Sequence, residues 1–255
     1  MSEQQYATSA NLQARIALHE RFSTNPQSWP SWMFDQLDLL PTSQILEIGG
    51  GTGALWRENV ARMPTGWQIT LSDLSAGMLA QAKAALSDDP RFRFEQIDAQ
   101  SIPFAAEAFD AVIANHMLYH VPDRPRALRE IRRMLKPNGR LYAATNGNDH
   151  LRELKMLVQT FTPDTEIDFF STPFKLENGL GQLAPYFANV TMRRFDCDLL
   201  VTETAPLVDY ILSTERIAPE RRDELTAFIT DALDQHNGAL HIHKASGLFI
   251  ANRQP

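Results

Sequence analysis

The chain has 255 residues, 44% of them hydrophobic, which is enough for one α/β domain with a small cover. A formal net charge of −7 disfavours nucleic acid as a partner, because an acidic surface repels phosphate backbones. Cys197 is the only cysteine, so no disulfide bond can form within the chain. With no signal sequence and no apolar stretch of about 18 residues, we expect a cytoplasmic protein without a membrane segment.

The N-terminal residues 11–39 show helical spacing of apolar side chains. After residue 40, strands and helices alternate. Five apolar runs predict strands, namely "SQILEIGG", "WQITLSD", "RFRFEQIDA", "FDAVIANH" and "RLYAAT". The intervening helices are predicted over residues 52–63, "SAGMLAQAKAAL" and "DRPRALREIRRMLKPNG", with N-caps at Ser75 and Asp123 and the last helix ending near Lys136. This alternation indicates right-handed βαβ units and a parallel sheet.

The C-terminal part does not continue this alternation of strands and helices. A helix in "DHLRELKMLVQTF" leads into the irregular "TPDTEIDFFSTPFKLENGLGQ", which we interpret as a cover over the ligand edge of the sheet. A strand, "VTMRRFDCDLLVT", then two helices and a last strand, "GLFIANR", suggest an antiparallel edge hairpin. We therefore predict an α/β Rossmann-like fold with a seven-stranded, mostly parallel sheet and helices on both faces. Residues 1–40 form an N-terminal helical cap, residues 41–255 form the main domain, and residues 147–187 insert between strands 5 and 6.

The stretch "ILEIGGGTGALW" runs from a predicted strand into glycines and has two interpretations. As Gly49-x-Gly51-x-x-Ala54 it is a dinucleotide fingerprint, and as Glu47-x-Gly49-x-Gly51-x-Gly53 it is the nucleoside loop of an enzyme that uses S-adenosylmethionine (SAM). Glycines at this position let the backbone approach a nucleoside closely. Asp73 ends the second strand and can accept hydrogen bonds from ribose hydroxyls, which both interpretations predict.

Two other acids separate the alternatives. Glu47 lies within a strand that should be apolar, where a charge is costly unless a partner compensates it. An anionic pyrophosphate would worsen that site, whereas a ligand with a sulfonium and an ammonium group would improve it. Asp98, in "QIDAQSIPF", can accept a hydrogen bond from the amino group of adenine. These acids favour SAM over NAD.

Four motifs in order resemble those of class I SAM-dependent methyltransferases, in the small-molecule branch typified by quinone-biosynthesis enzymes. They are residues 47–53, 72–78, 96–99 and 135–140. The resemblance implies that Gly49, Gly51 and Gly53 border the methionine and ribose portions of SAM and that Asp73 holds the ribose hydroxyls. It also implies that Leu74 and Met78 border the adenine, that Asp98 and Ala99 read its edge, and that Asn115 lies near the methionine end. Gly50 stands where Cys or Ser is frequent in the family.

Three residues after the fourth strand are candidates for proton transfer: His116, Tyr119 and His120. A histidine there could take a proton from an acceptor hydroxyl or amine, and the alternative is that these side chains only pack the loop. Trp29, Trp32 and Trp56 are interpreted as core or pocket wall. His19 and Phe22 could close the pocket or belong to the core. His241 and His243 share a strand face, but without a further ligand at suitable spacing we expect no metal.

The predicted function is methyl transfer from SAM to a small-molecule acceptor that enters between the N-terminal helices and the cover. The reaction would be an in-line displacement, promoted mainly by positioning. Three alternatives stay open at this point. A SAM-consuming cyclase or lyase would release methylthioadenosine, an NAD-dependent oxidoreductase would bind nicotinamide, and a sensor would bind SAM without turnover.

Overall fold

The computed structural model describes residues 9–163 and 173–253. The chain forms two units. The sheet unit consists of Trp29–Asn148, Thr172–Phe195 and Ser246–Pro255. The helical unit consists of Met1–Ser28, Asp149–Ser171 and Asp196–Ala245. The units thus divide between residues 28 and 29 at the N-terminal side, and the proposed domain boundary between residues 40 and 41 stays a prediction.

The sheet unit is built on a seven-stranded sheet with the order β3-β2-β1-β4-β5-β9-β6. Its strands, numbered in chain order, are β1 (Gln44–Ile48), β2 (Gln68–Asp73), β3 (Phe92–Gln96), β4 (Phe109–Asn115), β5 (Leu135–Asn146), β6 (Ala188–Phe195) and β9 (Ser246–Asn252). The first five strands run parallel, and β9 is antiparallel to both of its neighbours. The predicted seven-stranded, mostly parallel sheet is confirmed.

Helices cover both faces of this sheet, because side chains of successive strand residues point to opposite faces. The helices of the sheet unit are α2 (Trp29–Asp35), α3 (Ala54–Arg57), α4 (Ala76–Leu86), α5 (Arg124–Met134) and α7 (Leu176–Leu183). Leu46 and Ile48 of β1 belong to the buried cluster that includes α5 and α7. Ile45 of the same strand belongs to the cluster that includes α2, α3 and α4. The expected helices on both faces are therefore confirmed.

The helical unit has a separate core. It contains α1 (Ser9–Phe22), α6 (Arg152–Phe161), α8 (Thr204–Ser213), α9 (Arg222–Gln235) and a two-stranded antiparallel sheet of β7 (Leu199–Val201) and β8 (Leu240–Ile242). Leucine and isoleucine side chains of these helices and strands form one buried cluster. No helix in residues 9–163 and 173–253 has the length and apolar character needed to cross a membrane.

Both predicted helix caps are present. The hydroxyl of Ser75 accepts a hydrogen bond from the backbone N–H of Met78, and a carboxylate oxygen of Asp123 accepts one from the N–H of Arg126. The expected helix end at Lys136 is wrong, because α5 ends at Met134 and β5 begins at once. Pro137 explains the early end, since a residue before proline is pushed out of the helical region.

Other boundaries also differ from the predictions. Residues 52–63 are not one helix, because Asn59 separates α3 from a 3₁₀ turn at Val60–Arg62. The Nδ2 group of Asn59 donates to the carbonyl of Leu55 over 2.7 Å, and such side-chain bonds compete with helical ones. The segment expected to be irregular contains α7, while its residues 164–172 lie outside the described ranges.

The predicted strand over residues 190–202 is two strands in different sheets, β6 and β7. β6 and β9 do pair in antiparallel fashion at the sheet edge, as expected. They do not form a hairpin, because residues 196–245 of the helical unit lie between them in the chain. The sheet is therefore interrupted by two insertions in the chain, one between β5 and β6 and one between β6 and β9.

Candidate functional site

The glycine loop follows β1 directly and turns sharply. Gly49, Gly51 and Gly53 have φ values of 66°, 58° and 74°, in the left-handed region that favours glycine. The N–H of Gly50 donates to the carbonyl of Ser72 over 2.9 Å, and the N–H of Gly53 donates to the carbonyl of Gly50 over 3.0 Å. The loop is therefore fixed to the end of β2 as well as to β1.

The three glycines differ in the space beside them. A Cβ atom on Gly49 would lie 2.7 Å from the Cβ of Met117, and one on Gly53 would lie 2.9 Å from Cδ1 of Leu86. A Cβ atom on Gly51 would meet no heavy atom within 4 Å. Gly49 and Gly53 thus allow close packing inside the protein, whereas Gly51 borders open space that a ligand can approach.

Asp73 faces this open side of the loop. Its Oδ2 accepts a hydrogen bond of 2.9 Å from the N–H of Gly51, and its Oδ1 accepts one of 2.8 Å from the N–H of Ser75. Each carboxylate oxygen has a second lone pair, so both can accept another hydrogen bond. The backbone therefore holds the carboxylate in an orientation suited to two neighbouring ligand hydroxyls.

Glu47 lies on the strand before the loop and is only 1% exposed. Its Oε2 accepts a hydrogen bond of 2.5 Å from Nε1 of Trp56, which lies in α3. Burial raises the pKa of Glu47 to about 7, the hydrogen bond from Trp56 opposes this effect, and the charge of Asp73 adds to it. The acid thus has a neutral protein partner, and its contribution to ligand binding stays a prediction.

The predicted adenine-binding residues follow β2 and β3. Leu74 is 58% exposed, whereas Met78 and Ala99 are buried. Oδ1 of Asp98 accepts a hydrogen bond of 2.8 Å from the N–H of Gln100, and Nε2 of Gln100 lies 3.1 Å from both carboxylate oxygens of Asp98. Gln100 was not among the predicted residues, because a glutamine in a loop carries no distinctive sequence signal.

The end of β4 brings together Asn115, His116 and Trp29. Nε1 of Trp29 donates a hydrogen bond of 3.0 Å to Oδ1 of Asn115, and the ring centroids of Trp29 and His116 lie 4.8 Å apart. His116 has a φ of 54°, which is uncommon for a residue with a side chain. Such backbone conformations concentrate at functional sites.

Tyr119 and His120 lie in the 3₁₀ turn Leu118–His120 that follows. Their rings meet edge to face with centroids 4.5 Å apart, and the ring of Tyr119 lies 6.4 Å from that of His116. Burial lowers the pKa of His120 from its ordinary value. The three predicted proton-transfer candidates are thus neighbours in one turn.

An aromatic cluster adjoins His116 on the other side. The centroid of Trp29 lies 5.2 Å from that of Trp32 and 5.5 Å from that of Phe195, and Trp32 lies 5.3 Å from Phe195. Phe195 ends β6, far from the tryptophans in sequence, and the surrounding "RRFD" resembles a solvated strand edge. No local pattern therefore indicates that its ring lies beside the other two.

Several predicted side chains belong to the helical unit instead. His19 and Phe22 lie on α1, and the possibility that they close a pocket stays a prediction. Nε2 of His241 and Nδ1 of His243 each lie 3.1 Å from a carboxylate oxygen of Asp198. Within residues 9–163 and 173–253, no group of three or more His, Cys, Asp or Glu residues is arranged to hold a metal ion.

The part of the chain that forms this site is similar to known proteins. Residues 46–143, which run from β1 to β5, match the family described as "Methyltransferase domain". This span of the chain is thus similar to a methyltransferase domain. The resemblance that the four sequence motifs show to class I SAM-dependent methyltransferases is thereby confirmed, and all four motifs lie within the matched span.

Two curated relatives illustrate the similarity. A ubiquinone/menaquinone biosynthesis C-methyltransferase, UbiE, from Hahella chejuensis is 32% identical over 116 residues, which are 44% of this chain and 47% of that protein. A malonyl-[acyl-carrier protein] O-methyltransferase from Enterobacter lignolyticus is 31% identical over 153 residues, or 59% of this chain and 57% of the other. The chain thus spans about half the length of the curated relatives it matches.

Solved structures share the fold. The phosphoethanolamine N-methyltransferase 2 of Haemonchus contortus, solved in complex with SAM, superposes with a TM-score of 0.62 at 19% identity and covers 99% of this chain and 59% of that one. The YcgJ protein of Bacillus subtilis superposes with a TM-score of 0.59 at 16% identity, covering 89% and 98% of the two chains. At these identities the similarity establishes the Rossmann-like architecture of the sheet unit.

Proposed function

We propose that the protein transfers a methyl group from SAM to a small-molecule acceptor. The observation that carries the proposal is the open space at Gly51 beside the fixed carboxylate of Asp73. A nucleoside needs this combination, because its ribose must approach the backbone closely and find acceptors for its hydroxyls. Similarity to methyltransferases over residues 46–143 supports the choice of SAM over other nucleosides.

The residues around the loop would together contact the ribose, the adenine and the methionine portion of SAM. Asp73 would accept the ribose hydroxyls, and Gly49, Gly51 and Gly53 would border the ribose and methionine portions. Four residues would surround the adenine, namely Leu74, Met78, Asp98 and Ala99. Asn115, held by Trp29, would contact the methionine end, and Glu47 would favour the positive charge of the ligand from beneath the loop. When bound, SAM supplies a methyl group activated by a sulfonium.

The acceptor would lie beside the turn that follows β4. Orienting the acceptor atom in line with the methyl group contributes most of the rate enhancement, since effective molarities in such arrangements are large. His116 would take the proton from the acceptor, and the packing of its ring beside that of Trp29 supports this role. Burial lowers the pKa of His120 and so favours its neutral form, which can also accept a proton.

The aromatic cluster of Trp29, Trp32 and Phe195 favours an apolar or aromatic acceptor. One relative described above is a C-methyltransferase and the other an O-methyltransferase, so acceptor atoms of both types are compatible with this kind of domain. The net charge of −7 supports a small molecule rather than a nucleic acid as the partner. The proposed location is the cytoplasm, because a single cysteine, Cys197, fits a reducing compartment.

Ligand binding and turnover test the proposal together. Calorimetry should show S-adenosylhomocysteine (SAH) binding to the wild type and much weaker binding to Asp73→Ala. Asp73→Asn should be intermediate, because it keeps one oxygen acceptor, and Asp88→Ala should bind normally, because Asp88 is exposed in the turn after α4. SAM should stay intact until an acceptor is added. Release of methylthioadenosine from SAM alone would instead indicate a cyclase or lyase, and failure to bind SAH would refute the proposal.

A further inference from the structure

Arg124, the first residue of α5, is a buried charge without a partner among the described residues. It is 7% exposed, and its Nε atom is buried with no hydrogen-bond acceptor in the described part of the chain. No carboxylate within residues 9–163 and 173–253 forms an ion pair with it. Other arginines of the sheet unit are paired, as Arg133 is with Glu130 at 2.6 Å and Arg91 with Asp89 at 2.5 Å.

This arrangement is unfavourable for the protein alone. Buried charged groups are normally paired or hydrogen-bonded, because leaving water without a partner costs free energy. Burial lowers the pKa of Arg124, but a guanidinium starts so far above neutral pH that it keeps its proton. The positive charge therefore remains, and no described residue compensates it.

The helix pattern shows that Arg124 occupies a position where an apolar side chain is expected. Ala127, Leu128 and Ile131 lie three, four and seven residues further along α5 and are all buried. Residues at this spacing share one helix face. Arg124 thus continues the buried face of α5 at its N-terminal end, whereas Arg126 in the same turn is exposed.

The start of α5, where Arg124 lies, adjoins the candidate site in the chain. The helix starts directly after the turn that contains Tyr119 and His120, at the end of the sheet where the glycine loop lies. Oε1 of Gln100 accepts a hydrogen bond of 3.0 Å from the N–H of Asp123, and Gln100 also contacts Asp98. The carboxylate of Asp123 is engaged as the N-cap of α5, where it accepts from the N–H of Arg126.

We propose that Arg124 binds a carboxylate group carried by the methyl acceptor, an inference that rests on the proposed methyl transfer. The planar guanidinium donates two parallel hydrogen bonds to a carboxylate, and a partly buried position makes such a pair strong. The positive end of the α5 dipole adds to the attraction. The acceptor would then combine an apolar or aromatic body with one acidic group.

The test uses simple anions as probes on the full chain. Thermal unfolding is followed at constant ionic strength with acetate, benzoate or inorganic phosphate, and with benzamide as the neutral match to benzoate. Benzoate should raise the unfolding temperature of the wild type and benzamide should not. Arg124→Met should weaken the apparent benzoate affinity about tenfold or more. Arg126→Met is the matched control and should respond like the wild type.

The outcomes separate this inference from its alternatives. A wild type that none of the anions stabilises overturns it, and stabilisation by phosphate alone would overturn the carboxylate assignment. Without anions, Arg124→Met should be as stable as the wild type or more so, because methionine removes an unpaired buried charge. A large loss of stability would mean that the arginine has a structural partner. SAH affinity should be unchanged in Arg124→Met, and a loss would assign Arg124 to the carboxylate of the cofactor. Absence of SAH binding in the wild type would refute the methyltransferase proposal without affecting the anion result.

Discussion

The indole N–H of Trp56 donates a 2.5 Å hydrogen bond to the carboxyl group of Glu47, within the fold and beneath the glycine loop. The sequence led us to expect that a cationic ligand alone makes this buried acid tolerable. The structure shows that a neutral donor already shares that role. Because an indole N–H stabilises a carboxylate less than a full positive charge would, the pKa of Glu47 stays raised, at about 7.

Stability should therefore depend on the protonation of Glu47. The folded state holds its proton up to about pH 7, whereas the unfolded chain releases it near pH 4.5. The free energy of unfolding should thus fall as pH rises through this window and be constant above it. Glu47→Gln, which keeps an acceptor for Trp56, should be more stable than the wild type by about 3 kcal/mol at pH 8 and about equal near pH 4.5.

Urea unfolding at both pH values measures this difference. The matched control is Glu95→Gln, because Glu95 is exposed on β3 and should change stability equally little at both pH values. Parallel pH profiles for the wild type and Glu47→Gln would show that Glu47 has an ordinary pKa in the folded protein.

The same acid should make SAM affinity depend on pH. A positively charged ligand favours the ionised form of Glu47, so affinity should rise as pH increases from about 6 to about 8, through the pKa of about 7. SAH lacks the sulfonium charge and should show a smaller rise. Calorimetry across this range checks the effect, and Glu47→Gln should abolish it. An equal slope for SAM and SAH would place Glu47 too far from the sulfur to sense it.

Alanine substitutions in the glycine loop should separate folding from binding. In Gly53→Ala the new methyl group would meet Leu86 and Leu71, at 2.9 and 3.2 Å, and would also force a side chain into a φ of 74°. We expect a loss of stability of about 3 kcal/mol. In Gly51→Ala only the backbone conformation is unfavourable, so about 1 kcal/mol should be lost.

Gly51→Ala, although the less destabilised of the two variants, should impair SAH binding. Gly51→Ala places a methyl group in the open space beside Asp73 and should weaken SAH binding by about tenfold or more. Urea unfolding and calorimetry on the same preparations measure both effects. A Gly51→Ala protein that binds SAH normally would mean that the ligand does not approach the loop at this point.

Trp29 should act through Asn115. Trp29→Phe keeps an aromatic ring beside His116 but removes the N–H that fixes the Asn115 amide. Losing one such hydrogen bond should weaken SAH binding about fivefold. Trp32→Phe is the control, because it alters the same aromatic cluster without touching Asn115. Equal effects of the two variants would indicate that the cluster supports the site only by packing.

The sequence predicts the central strands and the cofactor-facing loops well for a physical reason. Each of β1, β2 and β4 is a short apolar run buried on both faces, and the residues that follow it are close to it in the chain. The strand pattern alone therefore suffices to place Asp73 near the glycines, at one edge of the sheet. Their contact at 2.9 Å follows from the parallel pairing of β1 with β2.

Contacts between distant segments could not be predicted in this way. The meeting of Trp29 with Phe195 depends on the position of β6 at the sheet edge, which no local pattern specifies. Likewise, no local pattern specifies the pairing of β8 with β7, which lies about 40 residues earlier in the chain. The burial of Arg124 could not be predicted either, because its helix has the composition of a charged outer surface and only packing decides which face each arginine occupies.

The position of β9 between β5 and β6 has a consequence for synthesis on the ribosome. The sheet keeps a gap beside β5 until Ser246–Asn252 emerges from the exit tunnel, so β6 has no neighbour to pair with before then. The helical unit likewise draws on three separate stretches of chain, the last ending at Ala245. Nascent chains should thus expose an unpaired strand edge from the synthesis of β5 until that of β9, a state in which chaperones commonly engage their clients.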